Sequence, residues 1–233
     1  MSRFASDLHI HSCLSPCGDE LMTPNNIVNM AKLKGLDMIA VSDHNSALNL
    51  PPIKAIADSL DILLIPAIEA ESVEEVHVLC YMPSVAVALE LSAALNEALP
   101  NVKNKPKFFG EQNILDENDE FIGTFDKLLI QSTMLSIDKL CTLVRNLGGV
   151  TVPAHINRTS NSILINMGFI PSSLNFSTVE IYNGLPISID VSMYHTLFSS
   201  DAHNLDSILE RESFIDLPER SVNAFLKKIG EKR

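Results

Sequence analysis

Nowhere in the chain do about 18 apolar residues run together, so no segment is suited to cross a membrane as a helix. The opening segment, MSRFASDLHIHS, carries one arginine and turns polar within a few residues. It lacks the apolar core of a secretory signal, and a cytoplasmic location follows as the expectation. Cysteine is sparse: Cys13, Cys17, Cys80 and Cys141. In a reducing compartment these are free thiols or metal ligands rather than a disulfide framework. Bases are scarce too, with 17 Lys and Arg against 29 Asp and Glu and a formal net charge of −12. That field repels phosphate backbones and argues against long nucleic acid as a partner, while leaving room for a small phosphorylated substrate held by local cations. Also missing are the P-loop signature, the GxGxxG turn of dinucleotide folds and the GxSxG elbow of serine hydrolases. Ser42 and Ser200 precede aspartates on expected strands, where a structural role suits them better than nucleophilic attack.

What remains is an ordinary globular composition of 46% apolar and 20% charged residues over 233 positions. A domain of this size hides about 70% of its unfolded surface and needs no disulfides. Short β-branched runs alternate with segments of helical period. FASDLHI, LDMIAVSDH, DILLIPAIEAE, EEVHVLCYM, VTVPAHI, TVEIYNG and HTLFSSDAH read as strands. MTPNNIVNMAKLKG reads as a helix, with Thr23 as N-cap, Pro24 in its first turn and Gly35 as stop. SIDKLCTLVRNLGG places Ile137, Leu140, Val144 and Leu147 on one helical face. LNLPPIKAIADSL, VAVALELSAALNEAL and SVNAFLKKIGEKR are further expected helices. Such alternation implies an α/β fold with a parallel sheet, and about seven units suggest closure into a barrel. With no linker or repeat, residues 1–233 form one expected domain. Residues 97–124 break the alternation with Lys103, Lys105, Lys107, Phe108, Phe109 and then acids. They read either as an insertion near a site or as a solvated loop.

The seven histidines are not scattered evenly. His9, His11, His44, His77, His155 and His203 lie beside the ends of expected strands, often with a carboxylate near; His195 instead begins one. Alternation puts His9 and His11 on one side of their strand, and Asp201 and His203 repeat that spacing. In a parallel barrel the strand ends meet at one face, so these groups can converge there. Imidazole with carboxylate suits Zn, Mn or Fe rather than Ca. More than four such ligands exceed one tetrahedral ion, which points to two or three divalent metal ions.

DLHIHS, SDHN, PAIEAES, HVLCY, PAHINR and SSDAH, in that order from Asp7 to His203, resemble the PHP (polymerase and histidinol phosphatase) family. The resemblance implies a distorted (β/α)7 TIM-like barrel with a trinuclear centre. It implies that His9, His11, Glu69 and Asp201 hold one ion. His44 and His203 would hold a second, with one ligand from the loop after His11. Glu69 would bridge to a third with His77 and His155. Glu71 lies on the same strand face and is the alternative to Glu69. The family pattern D-G-x-x-x-P aligns with Asp19 to Pro24 and selects Asp19 as the loop ligand; Cys17 is its alternative, and a thiolate there would tilt that site toward Zn.

The chemistry so implied is phosphoester hydrolysis by a metal-held hydroxide, since metal binding lowers the pKa of water from about 15.7 toward 7. Arg158 would grip the phosphate, or else be a surface arginine. Asp7 would orient a ligand imidazole, or else make an internal structural hydrogen bond. A small phosphomonoester such as a nucleotide is the expected substrate. The alternatives are an exonuclease or phosphodiesterase on short nucleic acids, a non-catalytic metal-binding regulatory module, and amidohydrolase-type attack on C–N bonds, which normally lacks the SDH and D-x-H elements. The sequence leaves the oligomeric state open.

Overall fold

A computed structural model describes residues 1–182 and 185–233. Asn183 and Gly184, the last residues of the expected strand TVEIYNG, lie outside the described residues. The strands are β1 (Ser2–Ile10), β2 (Met38–Val41), β3 (Leu63–Leu64), β4 (Ala67–Glu71), β5 (His77–Tyr81), β6 (Asn113–Leu115), β7 (Phe121–Thr124), β8 (Val150–Pro153), β9 (Thr178–Tyr182), β10 (His195–Ser199) and β11 (Phe214–Leu217). The helices are α1 (Pro24–Leu33), α2 (Leu50–Ser59), α3 (Val85–Ala98), α4 (Pro106–Phe109), α5 (Ile137–Asn146), α6 (Ile163–Met167) and α7 (Val222–Gly230). Among the described residues no helix is long and apolar enough to cross a membrane.

The fold is mixed α/β. Strands β1, β2 and β3 are parallel, as are β9 and β10. The expected wholly parallel arrangement fails at two places. β4, β5 and β8 form an antiparallel sheet, and β11 lies antiparallel to β1. The cause at β5 is chain length: only residues 72–76 separate it from β4, too few for a crossover helix. Glu75, at φ +59°, turns the chain there. Strand DILLIPAIEAE is also split, because Pro66 has no N–H to donate and separates β3 from β4.

Hydrogen bonds outside the ladders link these sheets. Ala202 N–H and His11 N–H tie the end of β10 to β1. His44 forms a parallel bridge with Glu69, and Ile156 N–H donates to the Glu180 carbonyl.

Alternation along the strands sorts side chains onto two faces. Ile68 and Ala70 of β4, Val78 and Cys80 of β5, and Val179 and Ile181 of β9 join a large core with α1, α2, α3 and α5. Facing the other way, Met38, Ala67, Leu79, Tyr81, Val152 and Leu197 join a second core with Phe225 of α7. Glu69 and Glu71 share the side of Ala67, and His77 that of Leu79, so this second face is apolar toward α7 and ionisable at the strand ends. Tyr81 spans it, with its ring edge-on to Phe225 at 5.1 Å and its hydroxyl donating to the Leu8 carbonyl.

Residues 97–124 are neither plain loop nor core. They hold the end of α3, α4 and the hairpin β6–β7, which lies against the loop after His11. Asn113 N–H donates to the Cys13 carbonyl, and Asp119 accepts from the Thr23 hydroxyl and Asn25 N–H.

Candidate metal centre

Glu69 is 1% exposed and stands at the middle of the imidazoles. One of its oxygens lies 2.9 Å from His77 Nδ1, 3.2 Å from His155 Nε2 and 3.4 Å from His9 Nε2. The other lies 3.2 Å from His44 Nδ1 and 3.4 Å from His11 Nε2. Asp201 approaches the first pair, 3.1 Å from His11 Nε2 and 3.3 Å from His9 Nε2. Glu71 lies farther out. It accepts from Ser132 and Asn161 and stands 3.5 Å from His77 Nε2.

Glu180, in the interior of a β-branched strand, was absent from the candidates drawn from the sequence. Its carboxylate accepts from His9 Nδ1 at 3.0 and 3.1 Å and from His155 N–H at 2.9 Å. A carboxylate in the middle of TVEIY was the available signal, because a buried charge requires a partner. Asp43 is the second omission. It accepts from Ser12 N–H, the Ser12 hydroxyl and the Ser15 hydroxyl at 2.6–2.7 Å. The Ser15 proton is thus committed to Asp43, so toward His11 Nδ1, 3.0 Å away, Ser15 accepts. Both arrangements hold the proton of the neutral imidazole on Nδ1 and turn Nε2 inward. His9 Nε2 and His11 Nε2 meet at 3.2 Å, and His77 Nδ1 and His155 Nε2 at 3.3 Å.

Asp7 does not touch an imidazole. It accepts from Ser200 N–H, the Ser200 hydroxyl and Leu209 N–H, which fastens the segment carrying Asp201. The work expected of Asp7 on an imidazole is done by Glu180 instead. Asp19 is exposed, and its carboxylate accepts from Leu21 N–H at 2.8 Å. Cys17, also on the surface, brings its sulfur within 4.8 Å of donor atoms of His11, His44 and His203. Arg158 lies with its guanidinium 2.5 Å from Asp201 and 4.1 Å over the Tyr182 ring.

Burial and charge act against each other here. Burial favours neutral Glu69, yet His77, His9 and His44 hold its carboxyl well below the usual range. Burial works to lower His77, but Glu69 and then Glu71 lift it to about 10. His9 is likewise raised against burial by Glu180, Asp201 and Glu69. His44 goes the other way, because burial and the charges of His11 and His77 outweigh Glu69. His203 falls to about 4 through burial and His11. Burial, and after it the Glu69 charge, pushes the Cys17 thiol up.

This donor set fits divalent ions. It offers convergent imidazoles and carboxylates from separate strands, and the buried His44 Nδ1 faces Glu69 at 3.2 Å without a hydrogen bond between them. The cavity over Glu69, His44, His77 and His155 is small, about 60 Å³. Beside it, sharing Arg158, Asp201 and His203, opens a cleft of about 400 Å³ lined by Tyr182, Ser200, Asn204 and Ser207. A larger cleft of about 460 Å³, between β10, β11 and α7, contains none of the cluster residues.

A lesion-specific endonuclease of Pyrococcus furiosus matches the structure with a TM-score of 0.68 and 18% identity, over 98% of this chain and 56% of that one. A Bifidobacterium adolescentis protein provisionally described as a metal-dependent phosphoesterase matches at 0.66 and 16%, over 97% and 96%. The chain shares its fold with these two proteins. In sequence, an uncharacterised protein of Methanocaldococcus jannaschii is 28% identical over 163 residues, 70% of this chain and 18% of its own length. The chain thus spans about a fifth of that relative and just over half of the endonuclease. No family model matches it.

Proposed function

We propose that this chain is a metal-dependent phosphoric ester hydrolase of the PHP type, acting on a small phosphorylated substrate. The observation that carries this is Glu69 within 3.4 Å of nitrogens from five histidines, with Asp201 facing two of them. His9, His11, Glu69 and Asp201 would hold one ion, His44 and His203 with a loop ligand a second, and His77 and His155 with Glu69 a third. Bound Zn, Mn or Fe would acidify water and offset charge on the phosphate oxygens. Glu180 and the Ser15–Asp43 pair orient His9 and His11. One Asp201 contact leaves other guanidinium donors of Arg158 for a phosphate oxygen. The polar cleft beside it takes the leaving group. The linked sheets make up a distorted barrel in one domain, with residues 97–124 as an insertion on the loop after His11. Four free thiols fit a cytoplasmic location.

A second reading, cleavage of nucleic-acid strands, draws on the fold shared with the Pyrococcus endonuclease. The net charge of −12 disfavours it. Turnover of p-nitrophenyl phosphate, mononucleotides and a labelled oligonucleotide, each with added Mn²⁺ and with chelator, separates the two. Metal-dependent release of phosphate from the small esters is the expected result. Cleavage of the oligonucleotide alone, falling steeply with salt, selects the nuclease. No turnover with any ion defeats both.

A further inference from the structure

Beside Glu69, three imidazoles and a thiol face one another: His11, His44, His203 and Cys17, with donor atoms all within 4.8 Å. We propose that Cys17, not Asp19, is the loop donor that joins His44 and His203, and that two imidazoles and a thiolate make this a zinc site, His11 turning its Nε2 to the first ion. The inference rests on the metal-dependent reading above and adds the loop donor and the ion it selects.

Several features place this sulfur. Ser15 N–H donates to the Ser12 carbonyl and Gly18 N–H to the Ser15 carbonyl, which winds the loop tightly after His11. A Cβ on Gly18 would stand 2.4 Å from the Ser12 carbonyl oxygen, so the turn following Cys17 accepts only glycine. Asp19 N–H donates to the His203 carbonyl at 2.8 Å and pins the loop to the segment that supplies the third imidazole. From the far side, Gly110 of the insertion, at φ +100°, lies so close to Pro16 that a Cβ there would meet its carbonyl oxygen. The loop is therefore clamped between the β6–β7 region and the His203 segment. Asp19 meanwhile points its carboxylate at Leu21 N–H and stays in solvent.

A second sign of an ion comes from His44. The residue is 5% exposed, and its Nδ1 faces the Glu69 carboxylate at 3.2 Å without making a hydrogen bond. A buried nitrogen and carboxylate held side by side without a shared proton are satisfied by a cation. The donor chemistry then chooses the ion. Two imidazoles and one thiolate, with the fourth tetrahedral position open, match Zn²⁺, whereas Mn²⁺ and Mg²⁺ prefer oxygen.

Cobalt substitution tests this directly. Wild-type protein loaded with Co²⁺ should show the near-ultraviolet thiolate-to-cobalt absorption band, which Cys17→Ser should lose and Asp19→Ala should keep. Zn²⁺ affinity should fall at least about tenfold in Cys17→Ser, with a smaller change for Mn²⁺. The unaltered chain gives a second measurement. Cys17 is exposed while Cys13, Cys80 and Cys141 are buried, so a thiol reagent should modify one sulfur quickly in chelator and be blocked by saturating Zn²⁺. A wild-type cobalt form without the band, a band that survives Cys17→Ser, or a thiol that zinc leaves open overturns the assignment. Metal-dependent turnover without the band removes the thiolate site alone; the band without turnover on any ester removes the hydrolase reading alone.

Discussion

At the scale of single residues, the proposed function divides Glu69 and its neighbours into groups that would hold ions and groups that orient them. Glu180 is the clearest example of the second. Glu180→Gln keeps the shape but offers His9 an amide in place of a carboxylate. Metal affinity is expected to fall about 10- to 100-fold, with the metal-free melting temperature moving far less, as read by calorimetric titration beside thermal melts. Arg158 makes the opposite prediction. Its ion pair with Asp201 and its place over Tyr182 put it at the cleft rather than among the donors. Arg158→Ala should lower kcat/KM by about 10- to 150-fold, the equivalent of one charge-assisted contact of about 1.5–3 kcal/mol, while metal content by elemental analysis stays the same. Loss of the ions in that variant would show that Arg158 supports Asp201 instead of meeting substrate. That His9, His11, His44, His77, His155 and His203 would gather was legible in the sequence, because each lies beside an expected strand end, while Glu69 and Asp201 were picked out by the family resemblance. Asp43 and Glu180 were not picked out, since their importance depends on which imidazole each touches. Asp7 was visible but its partner was not: only the fold brings Ser200 and Leu209 to it.

At the scale of elements, the helices followed their local signals closely. Thr23 accepts from Asn26 N–H at the start of α1, and Gly35 beyond its end takes φ +71°. Ser136 does the same for α5, whose buried face is Ile137, Leu140, Cys141 and Val144. Thr23 has a second task, because its hydroxyl also donates to Asp119 and so joins α1 to the insertion. Thr23→Ala should cost about 1–2 kcal/mol in urea unfolding, near the upper end for an N-cap since two contacts vanish at once. A loss of only a few tenths of a kcal/mol would mean that water replaces both. The strands behaved less locally. Nothing in HVLCY announces that β5 runs antiparallel to β4; the shortness of residues 72–76 does. β11, with the sequence FIDL, went unread because a four-residue alternation is too short to stand out until it pairs with β1.

For the whole molecule, the proposed metal centre sets protons and metal ions in competition for one buried cluster. In the metal-free protein His77 sits at about 10, above its ordinary value near 6.5. A raised imidazole contributes stability that is complete below the ordinary value and disappears as pH climbs through the folded one. Glu69 and Asp201 are held low, so their contribution is present above the ordinary carboxylate range and disappears as pH falls. Metal-free protein should therefore lose melting temperature between about pH 7 and pH 10, and His77→Gln should flatten that loss. Ions must displace the same protons, so apparent metal affinity should rise with pH and loading should release protons, measurable by titration in buffers of different ionisation heat. Affinity that is flat from pH 6.5 to 9 would place the ions elsewhere.

The sequence by itself determined which histidines would gather, helices α1, α2, α3, α5 and α7, and the mixed α/β class, because capping, periodicity and residue chemistry act over a few neighbouring positions. Only the tertiary structure decided strand direction at β5 and β11, the partners of Asp7, Asp43 and Glu180, and which of Cys17 and Asp19 lies near His44 and His203. Those depend on which distant backbone segments lie within hydrogen-bonding reach, and the spacing of residues along a chain carries no record of that.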